Sequence, residues 1–108
     1  MFAEKSWGSF RVLDVEDASM TIKITLTPGH GMNYHSHENR DEVWTVISGT
    51  GHAILDGVRR DVKAGDILTM PAGCRHTVFA DSELKIIEVQ LGPAISVEDK
   101  QKYPLPQA

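Results

Sequence analysis

Between Pro28 and Gly49 the chain reads PGHGMNYHSHENRDEVWTVISG. Its chemistry-bearing residues are His35, His37 and Glu42. The two histidines stand two apart, so on an extended strand both imidazoles leave the same face. Glu42 opens the next apolar run, and its carboxylate can return toward the same point. A fourth candidate, His76, lies far along the chain after Pro71-Ala72-Gly73, at the start of another β-rich run. Three imidazoles and one carboxylate form a neutral-nitrogen and hard-oxygen set suited to one divalent ion of Zn, Mn, Fe, Co or Ni. Such an ion can keep open positions for water or substrate. Each of these residues alone reads as an ordinary polar side chain on a strand; the combination and its surroundings carry the case.

Those surroundings are short β-branched runs punctuated by Gly, Pro and Asp. The runs cover Ser9–Val15, Met20–Leu26, Glu42–Ile47, Gly51–Leu55, Val58–Val62, Asp66–Met70, Thr77–Ala80 and Leu84–Leu91. Asp56-Gly57 is a hairpin signal. Ala64-Gly65, Pro71-Ala72-Gly73 and Asp81-Ser82 separate the later runs. Short strands at this spacing predict a sandwich or a barrel. One segment, Val97 to Lys102, reads as a short helix or an ordered tail, with Ser96 as its cap and Pro104 as its stop.

The glycines and prolines around the four residues have a recognisable order. Gly29 is followed after five residues by His35, after one by His37, after four by Glu42 and after six by Gly49. A second stretch, GDILTMPAGCRHTVFA from Gly65, places five residues before Pro71, one before Gly73 and two before His76. Fifteen residues separate Gly49 from Gly65. These stretches resemble the two cupin motifs, which implies an all-β cupin double-stranded β-helix, a jelly-roll barrel, with one divalent transition metal on His35, His37, Glu42 and His76. The last motif position, usually Asn, is Ala80, and that position does not ligate metal. The whole chain, 1–108, is expected to form one cupin domain. A homodimer paired through its sheets is a further family expectation.

The likeness extends to Lys5-Ser6-Trp7-Gly8-Ser9-Phe10, Glu42-Val43-Trp44 and Ile87-Glu88-Val89-Gln90. Over about residues 5 to 92 the chain resembles the C-terminal phosphomannose isomerase domain of bifunctional isomerase and mannose-1-phosphate guanylyltransferase enzymes. It departs from them in three ways. Those domains typically have Gln where this chain has His35. Their Phe-Glu-Asp segment flanked by arginines has no counterpart after Gly92, and no arginine follows Arg75. A phosphate anchor calls for Arg or Lys. The domains carry a basic residue just before the last histidine, so the resemblance makes Arg75 a candidate substrate-binding residue; the alternative is a solvated charge on the barrel rim.

Trp44, two residues from Glu42, shares its face and forms either a pocket wall or plain core. Glu88 is the spare carboxylate available as a general base if its strand turns it inward, although the usual exposure of Glu favours an outward position. Cys74, the single cysteine, reads as structural, and no internal disulfide is possible. A net charge of −4 without a basic stripe argues against a nucleic-acid binder. No apolar run reaches membrane-spanning length, and the N-terminus lacks a signal-peptide layout, so a cytoplasmic location is expected.

Three functions compete. The resemblance favours a metal-dependent sugar-phosphate isomerase of the mannose-6-phosphate isomerase type. Three His and one Glu also resemble the site of oxygen-using cupins, and His35 in place of Gln favours a dioxygenase. The third reading is a non-catalytic binder of sugars or other small molecules.

Overall fold

The computed structural model describes residues 1–93, 95–96 and 98–106. The chain folds into β1 (Phe2–Lys5), β2 (Gly8–Glu16), β3 (Ser19–Leu26), β4 (Tyr34–Ser36), β5 (Asp41–Ser48), β6 (Thr50–Leu55), β7 (Val58–Lys63), β8 (Ile67–Met70), β9 (His76–Ala80), β10 (Leu84–Leu91) and β11 (Gln101–Tyr103). Among the described residues there is no helix. One sheet runs β1-β2-β3-β10-β5-β8 and the other β11-β4-β9-β6-β7. Every ladder is antiparallel. Each run read from the sequence lies on one of these strands, which is the jelly-roll arrangement.

Alternation along the strands builds the interior. From the first sheet Ile22, Ile24, Leu26, Trp44, Val46, Leu68, Met70, Leu84 and Ile86 are buried, and from the second Ala53, Val62, Val78 and Ala80. They form a continuous apolar cluster, with Leu26, Val46, Leu84 and Ile86 at one end of the barrel. Toward the other end the same strands turn polar residues inward. On β10 and β5 the opposed pairs run Ile86–Val46, then Glu88–Trp44, then Gln90–Glu42, and all six are buried.

Two turns show why the punctuation matters. Asp56 and Gly57 both have positive φ, 47° and 84°, the two-residue geometry that joins β6 to β7. The Asp56 carboxylate also accepts a hydrogen bond from the Arg75 amide, 2.8 Å away, tying this hairpin to the segment before His76. At Gly49 φ is +92°, and a Cβ there would collide with the Glu83 carbonyl, so the β5–β6 corner requires glycine.

Of the two readings of Val97 to Lys102, a short helix or an ordered tail, the described residues take the second. Val97 lies outside the described residues; Glu98 is in a turn, and 101–103 are strand β11, paired with β4. The reason is tertiary. Ser96 caps only a turn, its hydroxyl accepting from the Glu98 amide at 3.2 Å. The Asp99 carboxylate accepts instead from the amides of Glu38 and Asn39, both at 2.8 Å. Tyr103 then bonds through its hydroxyl to the Ser36 hydroxyl at 2.9 Å. The C-terminal segment is held as a strap against the 36–39 turn.

Candidate metal centre

His35 lies on β4 directly opposite His76 on β9. His37 follows one residue beyond β4, and Glu42 comes from β5 in the facing sheet. Both sheets therefore contribute to one cluster at the polar end of the barrel. The ring centroids are 4.3 Å apart for His35–His76, 4.9 Å for His35–His37 and 5.4 Å for His37–His76. One nitrogen from each histidine falls within 4.8 Å of the others, close enough to share a metal ion. Glu42 Oε1 stands 3.2 Å from His76 Nε2, and Oε2 stands 3.2 Å from His37 Nε2.

The hydrogen bonds fix the tautomers. His35 Nδ1 lies 2.6 Å from the Asn33 carbonyl, His37 Nδ1 2.6 Å from the Asp99 carbonyl and His76 Nδ1 2.9 Å from the Cys74 carbonyl. A carbonyl only accepts, so each Nδ1 carries a proton, and in the neutral ring each Nε2 presents a lone pair. This is the outer arrangement that orients metal-binding imidazoles. Among the described residues neither His76 Nε2 nor Glu42 Oε1 has a hydrogen-bond partner. With a neutral imidazole these are two buried acceptors facing one another, which is unfavourable unless a cation lies between them. The donor set and these orphaned atoms together fit a divalent ion.

Electrostatics agree with neutral His35 and His37 beside an ionised carboxylate. Burial, reinforced by His76, pushes the His35 imidazolium down to about 3. His37 is lowered, chiefly by burial, although Glu42 pulls the other way. Burial alone would raise Glu42; His76, His37 and Arg40 outweigh it and bring the carboxyl down to about 2.

Glu88 turns inward, against its expected exposure. Its Oε1 accepts from the Trp44 indole at 2.6 Å and its Oε2 from the Gln90 amide at 2.8 Å. Burial, with the Glu42 charge second, pushes Glu88 up to about 8. Trp44 meets His76 edge to face at 5.4 Å, so it walls the cluster as well as filling the core. Arg75 goes elsewhere. It is exposed and its guanidinium stacks 3.8 Å above the Tyr103 ring; as the chain neighbour of inward His76, it leaves the other face of the sheet. Cys74 is buried and its thiol is raised to about 11, first by burial and then by Asp56, so it is inert.

Two contributors escaped the sequence reading. Arg40 donates from Nε to Glu42 Oε2 at 2.9 Å and places Nη2 3.2 Å from His37 Nε2. Its signal was present as a basic residue in the four-residue interval between His37 and Glu42. Asp99 supplies the carbonyl that orients His37, a backbone role with no side-chain signature.

Comparison with known proteins agrees. The chain is 24% identical over 97 residues to mannose-1-phosphate guanylyltransferase of Klebsiella pneumoniae, covering 88% of this chain and 21% of that protein. The Escherichia coli enzyme matches at the same identity and coverage. The chain thus spans about a fifth of the length of these relatives, and the likeness is to their C-terminal cupin domain. Among solved structures, Streptomyces PAC13 with uridine superposes with a TM-score of 0.83 at 18% identity, covering 99% of this chain and 86% of that one. KdgF from Halomonas gives 0.74 at 19% identity, covering 82% and 80%. Salicylate 1,2-dioxygenase from Pseudaminobacter salicylatoxidans gives 0.73 at 15% identity, covering 78% and 26%. At such identities these likenesses establish the fold. The family model described as Cupin domain matches residues 22–90, the span that holds His35, His37, Glu42 and His76. The chain belongs to the cupin family.

Proposed function

We propose that His35, His37, Glu42 and His76 bind one divalent transition metal, and that the site acts on a small polyhydroxylated, sugar-like substrate, with isomerisation as the leading chemistry. The observation that carries the metal reading is the convergence of three histidine nitrogens and a Glu42 oxygen, with His76 Nε2 and Glu42 Oε1 lacking other partners. Likeness to guanylyltransferases that carry such a domain supports the sugar-like substrate. When bound, the ion would polarise a substrate oxygen.

The chain's own part in aldose–ketose conversion is proton transfer between neighbouring carbons. Glu88 is the carboxyl that can hold or release that proton, because its ordinary acidity has been pushed to about 8. Trp44 and Gln90 each donate to one of its oxygens and fix its orientation. Trp44 also limits the space beside His76.

Oxygen chemistry is the second reading. It is favoured by three histidines where the isomerase domains carry two and a Gln, and by the shared fold of a salicylate dioxygenase. Pairing into a homodimer belongs to the same proposal: Ile47 and Ile67 stand exposed on neighbouring strands of the six-stranded sheet. Sedimentation at two concentrations distinguishes a dimer from a monomer.

The test of function begins with elemental analysis of the purified protein. Reconstituted Zn, Mn, Fe, Co and Ni forms are then offered mannose 6-phosphate, with fructose 6-phosphate as the product sought, and oxygen uptake is followed in parallel. Fructose 6-phosphate formed by a metal-loaded form and lost in Glu88→Gln supports the isomerase. No turnover by any form rejects it, and metal-dependent oxygen consumption puts the second reading in its place.

A further inference from the structure

Arg40 occupies an unusual position for a guanidinium. Its side chain is only 9% exposed. It holds Glu42 Oε2 at 2.9 Å, approaches His37 Nε2 at 3.2 Å and donates from Nη1 to the Ser96 carbonyl at 3.2 Å. The first two partners are atoms that the proposed metal site also needs. A lone pair on His37 Nε2 cannot serve a guanidinium and a metal ion together, so the two cations compete for it.

Charge balance sets the consequence. Without an ion, Arg40 balances the charge of Glu42 inside the site. A divalent ion adds its full charge to a site that is already balanced. Net charge in a buried site is costly unless a counter-charge arrives. The surroundings add more positive charge. Lys102 stands opposite His35 in the β4–β11 ladder. Lys100 is lowered by partial burial and then by the repulsion of Lys102, Lys5 and Arg40. The Asp99 carboxylate, which accepts from the Glu38 and Asn39 amides, keeps its negative charge on this side. Arg40, Lys100 and Lys102 gather positive charge beside the metal cluster.

Resting on the metal reading above, we propose that Arg40 is the anion-binding residue of this site: the ion displaces its guanidinium from His37 and Glu42, and the freed fork binds a carboxylate or phosphate oxygen of the ligand. A guanidinium suits either group, since both accept two parallel N–H bonds. The substrate is thus a small anion, and Arg40 rather than Arg75 is its anchor. Coupling is reciprocal: metal raises affinity for the anion, and the anion raises affinity for metal.

The test uses the full chain stripped with EDTA and titrated calorimetrically with nickel ion. Nickel-loaded and metal-free protein are then titrated with inorganic phosphate and, in a parallel arm, with glycolate. Wild type, Arg40→Met and Arg40→Lys are compared after thermal melts establish that each is folded. Arg40→Met should bind nickel about fivefold or more tightly than wild type, because the competitor is gone. Its nickel form should bind the anion about tenfold more weakly, with Arg40→Lys between the two. Metal-free wild type should bind neither anion measurably. Tighter phosphate assigns a phosphate ester as the ligand class, and tighter glycolate a hydroxy acid. Equal nickel affinity and equal anion affinity in wild type and Arg40→Met overturn the role of Arg40 and leave the metal centre intact. Failure of every form to bind nickel overturns both.

Discussion

The interior of this barrel has two halves built from the same strands. On β10, Leu84 and Ile86 face inward near one end, and Glu88 and Gln90 face inward near the other; on β5, Val46 faces in beside Ile86, and Glu42 beside Gln90. From Ile86 to Gln90 the ladder and the alternation run unbroken across the boundary, so the strand geometry there does not mark the change. Side-chain chemistry does. The apolar half is stabilised by removing hydrocarbon from water and needs only shape and volume. Every polar group in the other half needs a partner at a defined angle. The carbonyls of Asn33, Cys74 and Asp99 supply one for each histidine, and orphaned atoms remain where an ion fits. The lesson is that a cupin barrel can place a demanding polar site in its interior because the other half of the same strands stabilises the fold.

The sharpest way to break this comparison is to alter one residue in each half. His76→Ala should abolish most metal binding, reducing an ion per chain to a small residual fraction by elemental analysis, while the protein still melts cooperatively. Stoichiometric metal in that variant would remove His76 from the ligand set. Ile86→Ala should do the reverse. It opens a cavity in the apolar half and should cost about 2–5 kcal/mol in denaturant unfolding, with metal stoichiometry unchanged. A loss of metal matching the loss of stability would show that the two halves are not separable.

A smaller effect separates the halves by pH. In EDTA-stripped protein, His35 takes up a proton near 6.5 when unfolded and only near 3 when folded. The unfolded chain therefore binds more protons in that interval, and stability falls as pH drops from 6.5 toward 3. Glu42, at about 2 when folded against 4.5, adds to the loss below 4.5. Glu88 acts in the opposite sense: raised to about 8 from 4.5, its neutral carboxyl withdraws stability as pH rises through that range. The melting temperature should therefore decline on both sides of mildly acidic pH, and Glu88→Gln should remove only the alkaline limb. A profile unchanged in Glu88→Gln would show that its carboxyl does not titrate in this way.

Much of this was legible along the chain. The two glycine-bounded stretches named four residues that the fold brings together, because spacing within a turn or across one strand is a local property. The strands β2, β3 and β5–β10 were likewise visible in their β-branched runs and Gly, Pro and Asp breaks. Three features were not. Glu88 could face either way, since strand phase depends on which neighbours pair with it. Arg40 sits in a turn, and its aim toward Glu42 follows from where β5 meets β4 and the strap.

Val97 to Lys102 reads locally as a short helix or an ordered tail, and contacts decide for the tail: Asp99 serves the 38–39 turn and 101–103 extend a sheet. The sequence by itself determined the family, the strand plan and the candidate ligand set, through short-range spacing and alternation. Tertiary structure alone decided the inward carboxyl, the buried guanidinium and the strap that orients His37. Each of these depends on partners that fold back from distant parts of the chain, and helix or strand propensity is too weak to resist such contacts.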